Sequence, residues 1–483
     1  MVANITIERN ANAGPYDFSE SMRASHWGIV LALPVLFIDE VMAAFGPGDA
    51  LAAHREHQRQ AFGRRQGAAT KLSDNAAIAI SGGYQEKCKA KLRAANINPD
   101  DFEFAPEILG DETAGGELRV VWMNENPHCF KRRHGRCVPL FERDWLYDWL
   151  LRDVPVRRPN MLKVSGCKTI AHHAAYIFNG VLSCGMDDVE ALGRALQVCD
   201  LPGMLVHFGD ENGLADKELG YKYCPLILRQ YFAKEVEDRW GDKLLVVPLG
   251  YSANFWHDFK DEAEWIAADP RSKKAIGRAV CTGKGNCSPP ANYIAAKSFL
   301  EKTSQREHTW SFFGDVKKST RPEMAKALAT VPKGFSFQSH GFAGNDMRRP
   351  VELREVMSHS KFCPAPTGWY NPDSYRYSES LEVGCFPLVD GRPSGEWQDY
   401  LTVTEHYWEG FFKYYGLWDT VKAFVHLVDK WSDTPKFIAG KLEDTQDLDK
   451  KQEIMMRWWY DYKDTLARKI GMLVRERIFR QLN

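Results

Sequence analysis

Within Lys361 to Asp390, KFCPAPTGWYNPDSYRYSESLEVGCFPLVD, Arg376 and Glu379 stand three residues apart. That spacing puts both on one face of a helix. At a helix start, where backbone N–H groups lack partners, a guanidinium suits the diphosphate of a nucleotide. A carboxylate about 5 Å further along suits a ribose or sugar hydroxyl. The ordinary alternative is a solvated i,i+3 ion pair with no ligand at all. A second group with chemical capacity is His207, Asp210, Glu211 and Asn212, at the carboxyl end of the run Gly203 to Phe208. A carboxylate there could act as general base toward a hydroxyl, Asp210 before Glu211. The competing reading is a loop whose Asp and Asn make local turn bonds. A third group is the glycine turn at Gly314, with Lys317, Lys318, Ser319 and Arg321 close behind it.

Each group needs a strand to carry it and a helix to follow. Lys361 to Ala365 reads as a strand ended by prolines, and TGWYNPDS reads as a turn-rich loop. Asp373 or Ser374 can cap a helix with apolar positions at Tyr377 and Leu381 and a stop at Gly384; Cys385 to Val389 then reads as a buried parallel strand. Upstream, WSFF (310–313) enters the Gly314 turn and a helix begins near Pro322. Phe335 to Gln338 reads as a strand and Val351 to Met357 as a helix. In the first half, LRVVWMNENP from 118, Met161 to Val164, Gly203 to Phe208 and Lys243 to Leu249 read as strands. Asp144 to Leu151 and Asp187 to Val198 read as helices, with Trp145 and Trp149 in the core. Arg229, inside an apolar run, calls for a structural partner such as a carboxylate of the GDEN loop.

Strands alternating with helices make the fold class α/β with parallel sheets. The reading places an N-terminal extension or stem at 1–117, with a linker at 110–117, and a first α/β domain at 118–250. A connector follows at 251–307, a second α/β domain at 308–410 and a helical, aromatic tail at 411–483. Residues 28–38, GIVLALPVLFI, fall short of the ~20 residues that span a bilayer and read as a signal or anchor segment, or as a buried core element.

The chain has 483 residues with 63 basic and 64 acidic side chains, a balance that disfavours nucleic acid as a partner. Its 11 cysteines are an odd number without zinc-ligand spacing. Cys281 with Cys287 and Cys129 with Cys137 could close local disulfide loops; free thiols are the alternative. Sequons at Asn4 and Asn286 are compatible with secretion.

The segment SYRYSESLEVGCFPLV, 374 to 389, resembles the signature of exostosin-like glycosyltransferases, a Ser-x-Arg-x-x-Glu-x-Leu helix followed by Gly-Cys-x-Pro-Val. FCPAP at 362, FGDENG, ILRQYF, VVPLGY and SFFGD are similar to blocks of the same family, from about 200 to 395. Ser378 and Ser380 depart from its usual residues. The resemblance implies a GT-B architecture, with two Rossmann-like domains facing across a cleft and helical extensions at both ends. It further implies an inverting glycosyltransferase acting on a nucleotide-sugar, a UDP-sugar first, with a glycan or glycoconjugate acceptor. Donor-binding residues carried over are Gly314, Arg321, Ser374, Arg376 and Glu379. The base would be Asp210 or Glu211, with His207, Asn212 and Arg229 on the acceptor side. The resemblance also implies that no metal or other cofactor is needed, consistent with the absence of a DxD-type motif at a strand end. The resemblance favours Golgi or secretory residence, with membrane association through 28–38 as a signal or anchor; 28–38 as a buried core segment instead implies a cytoplasmic chain. A nucleotide-sugar epimerase of the same fold and a non-catalytic glycan-binding scaffold are the rival readings.

Overall fold

A computed structural model of the chain describes residues 85–105, 118–123, 131–133, 136–138, 141–156, 161–162, 167–179, 186–209, 220–232, 234–259, 264–265, 289–298, 300–339, 348–368, 373–390 and 426–479. These residues all belong to one compact unit, Ser73–Asn483. The linker at 110–117, the segment 28–38 and both sequons lie outside them. So do Asp210, Glu211, Asn212, the Cys281 loop and Cys129, while inside the Cys129–Cys137 segment Lys131–Arg133 pairs antiparallel with Arg136–Val138.

Two parallel sheets carry the fold. The first contains β1 (Arg119–Trp122), β2 (Met161–Leu162), β3 (Ala174–Asn179), β4 (Gly203–Phe208), β5 (Leu226–Arg229) and β6 (Leu244–Val246), in the order β6-β5-β4-β3-β1-β2. The second contains β7 (His308–Gly314), β8 (Gly334–Gln338), β9 (Ser360–Ala365), β10 (Phe386–Asp390) and β11 (His426–Val428), in the order β8-β7-β9-β10-β11. Each sheet starts in its interior, adds one strand on one side and then crosses back. The order therefore reverses between β1 and β3 and again between β7 and β9, and such switch points open a crevice at the carboxyl ends of the strands. β4 and β10 are buried along their whole length, which is why both read as continuous apolar runs. The α/β fold class with two Rossmann-like sheets is thus the observed one.

The helices include α1 (85–94), α2 (Met186–Val198), α3 (Lys234–Trp240), α4 (Arg321–Leu328), α5 (Pro350–Ser358), α6 (Tyr375–Glu382), α7 (Thr434–Leu442) and α8 (Thr445–Val474), and 143–150 and Tyr293–Lys297 are also helical. Three segments differ from the sequence reading. Residues 85–105 belong to the folded body rather than to a stem: Cys88 and Leu92 are buried, Cys88 is disulfide-bonded to Cys199, and Glu103–Phe104 pairs with Thr169–Ile170. The start of the connector is core, with Tyr251, Phe255 and Trp256 buried. The tail contributes a strand, β11, to the second sheet before it turns helical. Three residues, His426–Val428, are too short a signal to separate β11 from its surroundings by periodicity.

The 30-residue helix α8 spans ~45 Å and ties the two sheets together. Near its start, Gln452 accepts from the Thr303 backbone N–H (3.0 Å) and donates to the Gly384 carbonyl oxygen (3.1 Å), both on the second half. At its middle, Trp459 stacks on Trp145 of the first half, with ring centroids 6.1 Å apart. Just beyond its end, Arg477 donates to the carbonyl oxygens of Pro225 (3.1 Å) and Asp242 (2.8 Å). Lys463, wholly buried, pairs with Glu382 of α6 at 2.6 Å. Trp459 Nε1 also donates to Glu382, at 2.8 Å, and Trp149 and Tyr460 each place a ring 3.8 Å from the ammonium. Burial outweighs the carboxylate and pushes the Lys463 ammonium down to about 8.

Two measurements test this construction. Glu382→Gln strands a buried ammonium and should lower the free energy of unfolding in urea by about 3–5 kcal/mol, while Glu382→Leu with Lys463→Met should recover most of the loss. A variant with both Cys88 and Cys199 changed to serine should unfold about 2–5 kcal/mol more easily; equal stability would show that α1 does not depend on the crosslink.

Candidate active site

The second switch point assembles the residues that the sequence singled out. β7 ends at Gly314, where an added Cβ would stand 3.2 Å from Phe312 and 3.5 Å from the Arg321 guanidinium. The loop that follows is shaped internally. Asp315 accepts from the Lys317 backbone N–H at 2.9 Å, and Arg321 Nη1 returns to the Asp315 carbonyl oxygen at 3.1 Å. Arg321 therefore holds its own loop. Thr320 donates its hydroxyl proton to Asp390 at the end of β10, two strands away from β7.

Across the crevice, β9 leads to α6. Ser374 is the N-cap, with extended backbone, and its side chain makes no cap bond. Its Oγ is buried and has no hydrogen-bond partner among the described residues; the Tyr377 N–H returns to the Ser374 carbonyl oxygen at 3.0 Å, while the two N–H groups before it, at the helix start, have no intrahelical acceptor. Arg376, in the first turn, bridges the switch point. Its Nε donates to the Phe313 carbonyl oxygen at the end of β7 (2.9 Å), and its Nη1 pairs with Glu379. The i,i+3 pair foreseen on the helix is present, but it is not a solvated one: Arg376 is 24% exposed and Glu379 fully buried.

Glu379 also reaches beyond its own sheet, to the start of the connector, accepting from Ser252 Oγ (2.6 Å) and from its backbone N–H (3.3 Å). Tyr375 reaches the first half from the helix start. Its hydroxyl donates to Glu142 at 2.6 Å, and its ring lies 5.8 Å from Phe141. Trp256 adds a longer bond to Glu382, 3.3 Å, and Arg354 donates to the Trp256 carbonyl oxygen at 2.7 Å. At the other end of α6, Gly384 takes φ +64°, and the Cys385 N–H returns to the Ser380 carbonyl oxygen at 2.9 Å, a glycine-dependent stop. Cys385 is bonded to Cys363 on β9, so both flanks of the loop and helix are joined covalently.

In the first half, His207 is fully buried at the end of β4. Its Nδ1 lies 2.6 Å from the Tyr221 hydroxyl, and Arg229 donates to that hydroxyl at 2.9 Å while standing 3.2 Å from the same nitrogen. Facing two donors, Nδ1 is the acceptor. Arg229 also donates to the Tyr231 carbonyl oxygen at 3.4 Å, and Tyr231 takes φ +60°. His207 and Arg229 are thus brought together as one buried cluster. Gln230 accepts from the Gly209 N–H at 3.3 Å, while its own Nε2 is buried without a partner. Among the described residues no group of three or more His, Cys, Asp or Glu could hold a metal ion, and no helix is long and apolar enough to cross a membrane.

Sequence reasoning missed Glu142, Ser252, Glu382 and Asp390. No local pattern marks them, because their partners lie 70 or more positions away.

No family model matches the sequence, and no curated protein matches it. Among solved structures, the chain is similar to HepE of Anabaena in complex with UDP, at 9% identity over 75% of this chain and 100% of that one, with a TM-score of 0.39. It is similar also to an alpha1,3-fucosyltransferase, at 10% identity over 76% of this chain and 93% of that one, with a TM-score of 0.38. At scores this low the likeness assigns neither a ligand nor a residue.

The Arg376–Glu379 pair can be tested by a double-mutant cycle. Arg376→Ala leaves a buried carboxylate without its cation and should cost about 3 kcal/mol in unfolding free energy. The same change in a Glu379→Ala background should cost much less, and a coupling near zero would show that Ser252 alone satisfies the carboxylate.

Proposed function

We propose that this chain is a glycosyltransferase that binds a nucleoside-diphosphate sugar, with a UDP-sugar as the first candidate, in the crevice between β7 and β9. The observation that carries the reading is the α6 start. A buried serine hydroxyl without a protein partner, free helix N–H groups and the Arg376 guanidinium converge where the strand order reverses. An unsatisfied buried hydroxyl is costly unless something else occupies its bonding capacity, and a phosphate oxygen is a suitable acceptor for all three donors. The Gly314 loop supplies the opposite wall. The resemblance of 374–389 to the exostosin-like signature supports the same assignment, and with it direct displacement with inversion and no metal cofactor.

In this reading the diphosphate leaves with the electron pair of the broken glycosyl–oxygen bond, stabilised by the α6 N-terminus and Arg376. A hydroxyl of a glycan or glycoconjugate acceptor, approaching from the first half, supplies the new bond. Its proton goes to a carboxylate, for which the sequence offers Asp210 and Glu211, with Asn212, His207 and Arg229 behind them. Glu379 and Arg321 set the shape of the donor site rather than filling it, since both are already bonded to protein. The Cys88–Cys199 and Cys363–Cys385 disulfides support assembly in an oxidising, secretory compartment, and membrane association would rest on 28–38.

Ser374→Ala isolates the donor site, because the hydroxyl contributes no bond to the protein itself. UDP should raise the melting temperature of the wild type. The variant should bind UDP about 3- to 10-fold more weakly by calorimetry and melt, when free, at the wild-type temperature. If neither UDP nor GDP binds, or if UDP binds both proteins equally, the donor site lies elsewhere.

A further inference from the structure

Three glutamates are buried where α6 meets the first half and the start of the connector: Glu379, Glu382 and Glu142. Two have a cation, Arg376 for Glu379 and Lys463 for Glu382. Glu142 has none. It is 5% exposed, and its side-chain partner is the Tyr375 hydroxyl at 2.6 Å. Its neighbours on the same turn are committed elsewhere. Arg143 pairs with Asp144 at 2.8 Å, and Asp144 also accepts from the Asn254 N–H (2.7 Å) and from Trp265 Nε1 (3.0 Å). A carboxyl kept out of water without a counter-charge is a stability cost that a fold could avoid with a glutamine.

Its position gives the carboxyl a use. Glu142 belongs to the first half, yet it touches Tyr375, the first residue of α6, one position from the unpartnered Ser374 and one from Arg376. Of the described first-half carboxyls, it is the one bonded to the turn where the diphosphate is proposed to sit.

We propose that Glu142 is the general base of the transfer. This inference rests on the donor-site reading above. The acceptor hydroxyl hydrogen-bonds to the Glu142 carboxylate beside Tyr375. As its oxygen bonds to the anomeric carbon, the proton passes to Glu142 and the glycosyl–oxygen bond breaks, with its electron pair leaving on the diphosphate. The proton is later lost to solvent. Desolvation raises the Glu142 carboxyl above the ordinary glutamate range, and the Tyr375 bond partly offsets the rise; a carboxylate with a raised pKa is the stronger proton acceptor. The titratable groups around it are Tyr375 on α6 and, beside that tyrosine, Glu379 and Tyr231.

The test uses the full chain and a panel of UDP- and GDP-sugars, scored by nucleoside diphosphate release across pH. Because the base must be ionised, kcat/KM should rise with pH through a limb above the ordinary glutamate range. Glu142→Gln should lose about 100-fold or more in kcat, lose that limb and bind UDP as the wild type does. Tyr375→Phe, which removes the bond that favours the carboxylate, should move the limb to higher pH while retaining turnover. If Glu142→Gln keeps kcat within about threefold, or if Asp210→Asn loses the limb and Glu142→Gln does not, Glu142 is not the base, although the donor site stands. If both Glu142→Gln and Tyr375→Phe lose melting temperature and rate in parallel with no change in the limb, the pair is only a structural latch and the proposal falls. Absence of any UDP or GDP binding by the wild type overturns the donor site itself.

Discussion

The structure depends on how a polar helix is kept out of water. α6 has the composition of a surface helix, YRYSESLE, yet Tyr377 through Glu382 are all buried. A buried carboxylate without a partner would neutralise or unfold its surroundings. The fold therefore has to bring partners from distant segments: Ser252 for Glu379, and Lys463 and Trp459 for Glu382. Those partners come from the crossing between the halves and from α8. Satisfying one eight-residue helix thus dictates how the two sheets and the tail come together.

Much of the chain was legible before any coordinates. The strand over Gly203–Phe208 and the helix over Met186–Val198 follow from apolar period alone, and so do the strand–loop–helix–strand unit around α6 and the parallel α/β class. Patterns of this kind are local, so the sequence displays them. What was not legible is long-range. The amphipathic reading of α6 foresaw one buried face, at Tyr377 and Leu381, and not burial all round, because the segments that cover its polar faces lie more than 70 residues away. Cys88 offered no hint of Cys199, 111 positions on, and the proximity of Cys363 and Cys385 exists only once β9 and β10 pair.

The same contrast holds at the candidate site. Arg376, Ser374 and Gly314 could be placed from turn and helix chemistry, since each sits where a strand ends or a helix begins. The meaning of Glu379 could not. Spacing identified its partner Arg376 correctly but said nothing of Ser252, which turns a surface ion pair into a joint with the connector. Glu142 carried no signal at all, because only the tertiary fold shows that a carboxyl in FERDW lacks a cation.

The Cys363–Cys385 crosslink has a consequence for how a ligand would be received. It closes a covalent ring around β9, the loop and α6, while Arg376 fastens that ring to the end of β7. An anion arriving at the helix start would meet donors already aimed and would not have to organise a loose segment. The ordering entropy is paid when the ring forms during folding rather than at each encounter. Affinity for an anion at such a cradle would be set by the fit between ligand and donors, with no remaking of the helix.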